Sequence, residues 1–537
     1  MQALVKRIAV ASFFAAPLSM SVIGLALGQA FSDSKSGLVD YASAQFVPRL
    51  SCSDLERYTG KELVAIRSAS IAADGPTPAH CRVTGTLAPE IAFEVSLPQR
   101  WNGRLYMIGN GGHAGEALDD PLRTVQRSAA LAMGFAFAQT NTGHDARKEP
   151  GATFVLSNPE KALDYAYRAV HLTALTAKDI TSRYYSRPIA RSYWNSCSNG
   201  GRQGLIEAQR FPEDFDGLVV NAPWIDQTGF TIGAMWNERA VSQASPLTPS
   251  KLALLSRKVM ERCDALDGLR DGVIEDPRKC DFDARRDMAA CPQGTDGPEC
   301  LTAAQAEAIM KIYGGPRNQK GALFPGYMPG SEAVVATGFG GTRDASAWLN
   351  LIVPARPDVK PADFNLAENT MRYLVHVPPQ PDYDYGTFNF DRDVHLLDDW
   401  GEKANATNPD LSRFRARGGK LLMTYGWADP ILQPLVGVRY YEQAIARNGP
   451  HTADFFRLFM VPGMTHCAGG KGTDRFDSMT VLIDWVEKNR APASIRASHL
   501  EDNKITRTRP LCPYPQVAHY SGRGSSDDAA NFSCGKP

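Results

Sequence analysis

The sequence predicts an α/β protein in which a mostly parallel sheet is flanked by helices and interrupted by a large inserted domain. Three observations predict it. Short apolar runs alternate with helix-like runs on both sides of the middle of the chain, the rhythm of strand–helix–strand units. Residues 191–211, RSYWNSCSNGGRQGLIEAQRF, read as a strand, a sharp turn with Ser198 at its apex, and a helix carrying Leu205, Ile206 and Ala208. From about Trp224 to Asn408 the rhythm stops, and prolines, glycines, aromatics and four cysteines take over.

The first element is a leader. MQALVKR is followed by the apolar IAVASFFAAPLSMSVIGLALGQA, and small residues near Gly28-Gln29-Ala30 fit the end of a secretory signal peptide over residues 1–30. Ala42-Ser43-Ala44 is a second small-residue site, and the length of the apolar stretch leaves an uncleaved anchor open. No later segment is apolar enough to span a bilayer.

Residues 45–100 are broken by short polar clusters, as expected of strands joined by turns. A buried strand over 104–108 runs into Gly109-Asn110-Gly111-Gly112, and a second over 134–138 ends in a polar loop. Asn158 and Pro159 suit the N-cap and first position of a helix whose Leu163, Tyr167, Val170 and Leu175 give an apolar face. After the serine turn, residues 217–222 form the next strand. The core's first part therefore spans 45–223, the inserted domain 224–408, and the core's second part 409–537. Within the insertion, residues 371–393 are too polar and proline-broken for core strands. Strands resume at 420–425 and 455–461, followed by a helix over 478–489 and a cysteine-containing tail.

Composition excludes some functions and sets the compartment. The 537 residues carry 58 Lys+Arg against 58 Asp+Glu, so nothing favours nucleic acid or an anionic membrane surface as a partner. Ten cysteines behind an export signal point to disulfides. Spacing suggests local pairs Cys52–Cys81, Cys263–Cys280, Cys291–Cys300 and Cys512–Cys534, leaving Cys197 and Cys467. Zinc is the rival use of cysteine, but no CxxC pair occurs.

The chemistry centres on Ser198. A strand–turn–helix with serine at the turn is the setting of a nucleophile elbow, although Ser196 stands where the usual G-x-S-x-G has its first glycine. Strands 420–425 and 455–461 end in Gly426-Trp427-Ala428-Asp429-Pro430 and in Pro462-Gly463-Met464-Thr465-His466-Cys467. Functional groups of an open α/β sheet gather outside the carboxyl ends of its strands. Ser198, Asp429 and His466 then follow the Ser…Asp…His order of α/β-hydrolases. Serine becomes a nucleophile when histidine takes its proton, and the acid fixes the imidazole tautomer. Singly, Asp429 before proline also reads as a turn residue and His466 as a loop histidine. Cys197 precedes the serine and Cys467 follows the histidine. If the two pair, their Cα atoms lie about 5–6 Å apart and Ser198 and His466 share one small volume.

Cys197-Ser198, Asp429 and His466-Cys467, with Ser198-Asn199-Gly200-Gly201-Arg202 and PGMTHC at 462–467, resemble the tannase/feruloyl esterase family over essentially the whole mature chain. The resemblance implies an α/β-hydrolase fold, a Cys197–Cys467 disulfide and a lid inserted after the nucleophile half. It implies a secreted serine carboxylesterase acting on feruloyl, galloyl or monoterephthaloyl esters. An acyltransferase with the same triad and a catalytically silent binding module are the alternatives. One oxyanion donor should be the backbone N–H of Asn199. The resemblance makes Gly112 the other, with Gly111 its near rival. Residues 109–114 also fit the G-x-G-x-x-A dinucleotide fingerprint, and a plain tight turn is the third reading.

Inside the insertion, Asp264, Asp267 and Asp271 lie in a loop bounded by Cys263 and Cys280. Hard oxygen ligands at this density suit Ca²⁺ or form a solvated acidic turn. The resemblance implies structural calcium held by these three side chains and the carbonyls of Leu269 and Val273, with no organic cofactor. For substrate, Leu432 just past the acid is a candidate for the acyl pocket. Trp348, Tyr373 and Phe388 lie in the lid segment, where packing is favoured over substrate contact, and Arg343 or Arg356 could pair a free carboxylate.

Overall fold

The computed structural model describes residues 30–332, 347–356 and 358–537. Strands β1 (Leu63–Ile71), β2 (His80–Leu87), β3 (Ile91–Pro98), β4 (Arg104–Met107), β5 (Ala136–Thr140), β6 (Arg191–Cys197) and β7 (Gly217–Asn221) precede the insertion. The insertion carries one short hairpin, β8 (Arg317–Asn318) and β9 (Gly321–Ala322), among helices. β10 (Lys420–Gly426) and β11 (Phe456–Val461) then complete a nine-stranded sheet in the order β1-β2-β3-β5-β4-β6-β7-β10-β11. The six strands from β5 to β11 run parallel, and β1, β2 and β3 form an antiparallel flank. This is an α/β-hydrolase-like architecture.

The parallel strands are buried on both faces, which explains why β4, β5, β7 and β10 read as near-continuous apolar runs. Two antiparallel hairpins, β12 (Ile495–Glu501) with β13 (Lys504–Leu511) and β14 (Val517–Tyr520) with β15 (Phe532–Gly535), close the chain. Residues that precede β1 also join the core. Phe31 packs at a tilt against Phe135 with ring centroids 5.1 Å apart, Val39 is buried, and Phe46 bridges Trp101 through paired backbone bonds.

The insertion leaves and re-enters the sheet at one point. The Ala406 N–H donates to the Ile225 carbonyl at 2.8 Å, and Asn405 accepts from Gln227 N–H while donating to Asp226. Neck and core are thus fastened together by a few residues.

One expected helix face is displaced. Asn158 caps the Glu160 N–H as anticipated, but helix begins at Lys161, and Asp164–Arg168 forms a wide π-helical turn before Ala169–Tyr185 continues as α-helix. The wide turn rotates everything after it relative to a 3.6-residue period. Val170 stays buried, Leu175 is 45 % exposed, and Tyr165 turns inward instead.

Candidate active site

β6 ends at Cys197, and the backbone then enters a conformation that few L-residues adopt: Ser198 has φ 62° and ψ −126°. Strain of this kind costs roughly 1–3 kcal/mol and persists only where surrounding bonds impose it. Here the Ser198 N–H donates to the Asn221 carbonyl of β7 at 3.0 Å. Its carbonyl accepts from Arg202 and Trp224 N–H groups at 3.1 and 2.9 Å. The Asn199–Arg210 helix starts at once, so its N-terminal N–H groups point toward the turn. The unusual Ser196 is accommodated by Gly200, where an added Cβ would fall 1.9 Å from the Ser196 hydroxyl.

The loops after β10 and β11 are joined by backbone bonds, from Trp427 N–H to the Val461 carbonyl at 2.9 Å and from Ala428 N–H to the Met464 carbonyl at 3.1 Å. Asp429 is wholly buried between them. One of its carboxylate oxygens accepts the Ile431 and Leu432 N–H groups, both at 2.9 Å, and the other lies 2.7 Å from His466 Nδ1. The Cys197–Cys467 disulfide, with Cα atoms 5.9 Å apart, brings the serine turn to the histidine loop. A ring nitrogen of His466 lies within 4.8 Å of both sulfurs. Ser198, Asp429 and His466 are therefore gathered at the carboxyl ends of β6, β10 and β11. Leu432 meets this cluster through its backbone, while its side chain is buried in the core.

The loop after β4 faces the same place. The Gly111 N–H is taken by Glu116 Oε1 at 2.5 Å, whereas the Gly112 N–H has no acceptor among the described residues. Gly112 has φ 44°, a conformation that favours glycine. Its carbonyl accepts from the Tyr165 hydroxyl at 3.1 Å, and the same hydroxyl lies 3.4 Å from the Asn199 side-chain oxygen. Gln227 donates to Tyr165 at 2.6 Å, and Arg202 donates to the Asn199 oxygen at 2.7 Å. Arg202 is fully buried and also holds the carbonyls of Ala166 and Ala404, joining the serine helix to the neck of the insertion. His113 is buried beside Thr370; burial, with the charges of His144 and Arg202, pushes its pKa down to about 3, so the ring is neutral.

Tyr165, Glu116 and Gln227 carry no motif that sequence reasoning could have used. Tyr165 turns inward because of the π-helical turn, and Glu116 acts through a loop contact. Arg202 lies in the SNGGR motif, but its reach to Ala404 depends on tertiary structure.

The lid candidates fall apart as a group. Trp348 and Phe388 are buried packing residues, Trp348 against Tyr313 and Phe388 against Phe390. Tyr373 is half-buried in a π-helical turn, Arg356 is exposed beside Asp358 at 3.4 Å, and Arg343 lies outside the described residues.

The four cysteine pairs suggested by spacing, with the Cys197–Cys467 pair implied by the resemblance, are the five disulfides of the structure. Within the Cys263–Cys280 loop, Asp264 accepts Asp271 and Gly272 N–H groups, and Asp267 accepts the Leu269 N–H. Asp271 accepts the Val273 N–H and pairs with Arg509 of β13 at 2.6 Å. Asp267, Leu269, Asp271, Val273 and Glu275 line one cavity with Arg507 and Arg509. Burial and the charges of Asp271 and Asp264 raise the Asp267 carboxyl; burial, then the charge of Asp267, pushes Glu275 up to about 7. The donors are mutually repelling oxygens of the kind a hard cation takes, but Asp264 does not line this cavity and Arg509 already pairs with Asp271.

The tannase and feruloyl esterase family model matches residues 77–535. Mono(2-hydroxyethyl) terephthalate hydrolase of Piscinibacter sakaiensis is 33% identical, over 89% of this chain and 88% of its own. A probable feruloyl esterase of Arthroderma benhamiae is 30% identical, over 97% of this chain and 98% of its own. The crystal structure of feruloyl esterase B from Aspergillus oryzae superposes with a TM-score of 0.75 at 26% identity, covering 90% of this chain and 100% of that one. The chain belongs to the tannase and feruloyl esterase family and is a carboxylic ester hydrolase.

Proposed function

We propose that this family member is an exported serine esterase that cleaves esters of aromatic acids through an acyl-enzyme. The observation that carries the reading is the buried Asp429–His466 bond of 2.7 Å, held beside Ser198 by the Cys197–Cys467 disulfide. His466 takes the Ser198 proton as the hydroxyl oxygen attacks the ester carbonyl. Asp429, fixed by two backbone N–H groups, holds His466 in the tautomer with its proton on Nδ1 and stabilises the imidazolium. The negative charge on the carbonyl oxygen is met by the N–H groups of Asn199 and Gly112; donation of the Gly111 N–H to Glu116 supports Gly112 over Gly111. His466 then protonates the departing alcohol. Water, deprotonated by His466, releases the acid and restores Ser198.

The Tyr165 hydroxyl bridges the Gly112 carbonyl and the Asn199 side chain, so it acts as a positioning residue for both oxyanion donors. Asp264, Asp267 and Asp271, with the carbonyls of Leu269 and Val273, would hold calcium, which would neutralise charge at the base of the insertion, away from the bond cleaved. Feruloyl, galloyl and monoterephthaloyl esters are the substrate class, on the names of the relatives. Five disulfides support an oxidising compartment. Among the described residues no helix is long and apolar enough to cross a membrane. Packing of Phe31 and Val39 supports leader removal near residue 30 rather than 44; the mass of the exported chain reads this directly.

The test is hydrolysis of methyl ferulate, methyl gallate and mono(2-hydroxyethyl) terephthalate by the protein and by Ser198→Ala. Turnover of at least one ester, abolished in the variant, is expected. Turnover that survives in Ser198→Ala would sink the assignment. Methanolysis outrunning hydrolysis would make the protein an acyltransferase.

A further inference from the structure

A second polar cluster lies along the serine helix, away from the chemistry. Glu207 is eight residues past Asn199, about 12 Å along the helix axis. It meets His171 of the Ala169–Tyr185 helix and Asp214 of the turn before β7, and one ligand atom of each lies within 4.8 Å of the other two. His171 Nδ1 is 2.6 Å from Asp214 Oδ2, and its ring is stacked on Phe211 at 3.9 Å. Glu207 is 1 % exposed, and among the described residues no N–H or hydroxyl donor reaches either carboxyl oxygen, whose close neighbour is the Asp214 carboxyl.

Two adjacent carboxyl groups in a dry site need a positive charge, either a proton or a cation. The nearest protein cation does not supply it fully: Lys178 Nζ stands 4.0 Å from Asp214 and donates to the Glu213 carbonyl. We propose that His171, Glu207 and Asp214 bind one divalent transition-metal ion, with Zn²⁺ the best match to one imidazole nitrogen and two carboxylate oxygens. Donors around tetrahedral zinc at about 2.0–2.2 Å lie roughly 3.4 Å apart, so small side-chain movements close the site. The ion takes the Nδ1 lone pair of neutral His171, whose ring proton then sits on Nε2. The His171 side chain is 25 % exposed, which gives the ion its entry and leaves room for a water as fourth ligand. Burial and the Asp214 charge raise the Glu207 carboxyl well above its ordinary range, the effect a bound cation would reverse. Such an ion staples the serine helix to its neighbouring helix and to the approach of β7.

The experiment is zinc titration of the full mature chain by calorimetry with calcium held constant. Elemental analysis after gel filtration and the visible absorption of a Co²⁺-loaded sample accompany it. One zinc per chain is expected in the wild-type protein, lost in both Glu207→Gln and His171→Gln, with esterase turnover changed less than about twofold. His171→Gln lies at the exposed rim and carries the test if Glu207→Gln does not fold. Equal zinc uptake by wild type and variants would overturn the proposal. So would no uptake with Glu207→Gln raising Tm, since a shared proton would then fill the site.

Discussion

Two cysteine-bounded clusters, the catalytic one and the acidic loop of the insertion, differ in what completes them. Cys197–Cys467 joins residues 270 apart, whereas Cys263–Cys280 closes a loop of 17. At the first, the chain answers its own buried charge: Asp429 receives two N–H groups and an imidazole. At the second, three aspartates are only partly answered by backbone N–H groups and Arg509, and Asp267 is left with a raised carboxyl. A polypeptide completes a proton relay from its own groups, but a carboxylate cluster is completed by a cation. The first cluster should therefore be insensitive to chelation and the second should depend on it.

The largest expected effect breaks the first cluster without disturbing its shape. Asp429→Asn should lower kcat by about 10⁴-fold with little change in KM, because the amide favours the wrong histidine tautomer. Steady-state kinetics would show it, and a loss below about tenfold would contradict the role given to the acid. Next come the disulfides. Chain entropy assigns about 5.6 kcal/mol to the 270-residue closure and about 3 kcal/mol to the 17-residue one. Replacing both cysteines of each pair by serine should therefore cost more stability at Cys197/Cys467, and only that pair should also lower kcat. Urea unfolding paired with kinetics reads both.

A smaller effect concerns the cation. Chelation should lower Tm by several degrees and leave kcat unchanged at temperatures where the protein stays folded, with calcium restoring Tm. A chelator that leaves Tm untouched, together with no calcium on elemental analysis, would remove calcium from the account. The smallest effect sharpens the first cluster from within. Tyr165→Phe should cost about tenfold in kcat with KM nearly constant, because it loosens both oxyanion donors without touching the triad. An unchanged kcat would reduce Tyr165 to packing.

The legibility of the two clusters in the sequence follows from the same contrast. Strand ends, the serine turn and cysteine spacing are local signals; they pointed to Ser198, Asp429 and His466 and to four of the disulfides, and the resemblance supplied Cys197–Cys467. The acidic loop was legible as donors, but the sequence could not show that Arg509, more than 230 residues later, would enter it. Tyr165 was hidden by a π-helical turn that breaks the 3.6-residue period, the change that exposed Leu175. The choice between Gly111 and Gly112 needed Glu116, whose contact exists only in the folded loop. Trp348 and Phe388 were candidates only by lying in the insertion, with packing the favoured reading. In the folded protein they fill the insertion's own core.

The most direct measurement is the site of covalent labelling by a fluorophosphonate, mapped by peptide mass. One adduct per chain is expected on Ser198, unaffected by prior chelation and lost in His466→Ala. An adduct on Ser196, or none on a protein that still turns over ester, would contradict it.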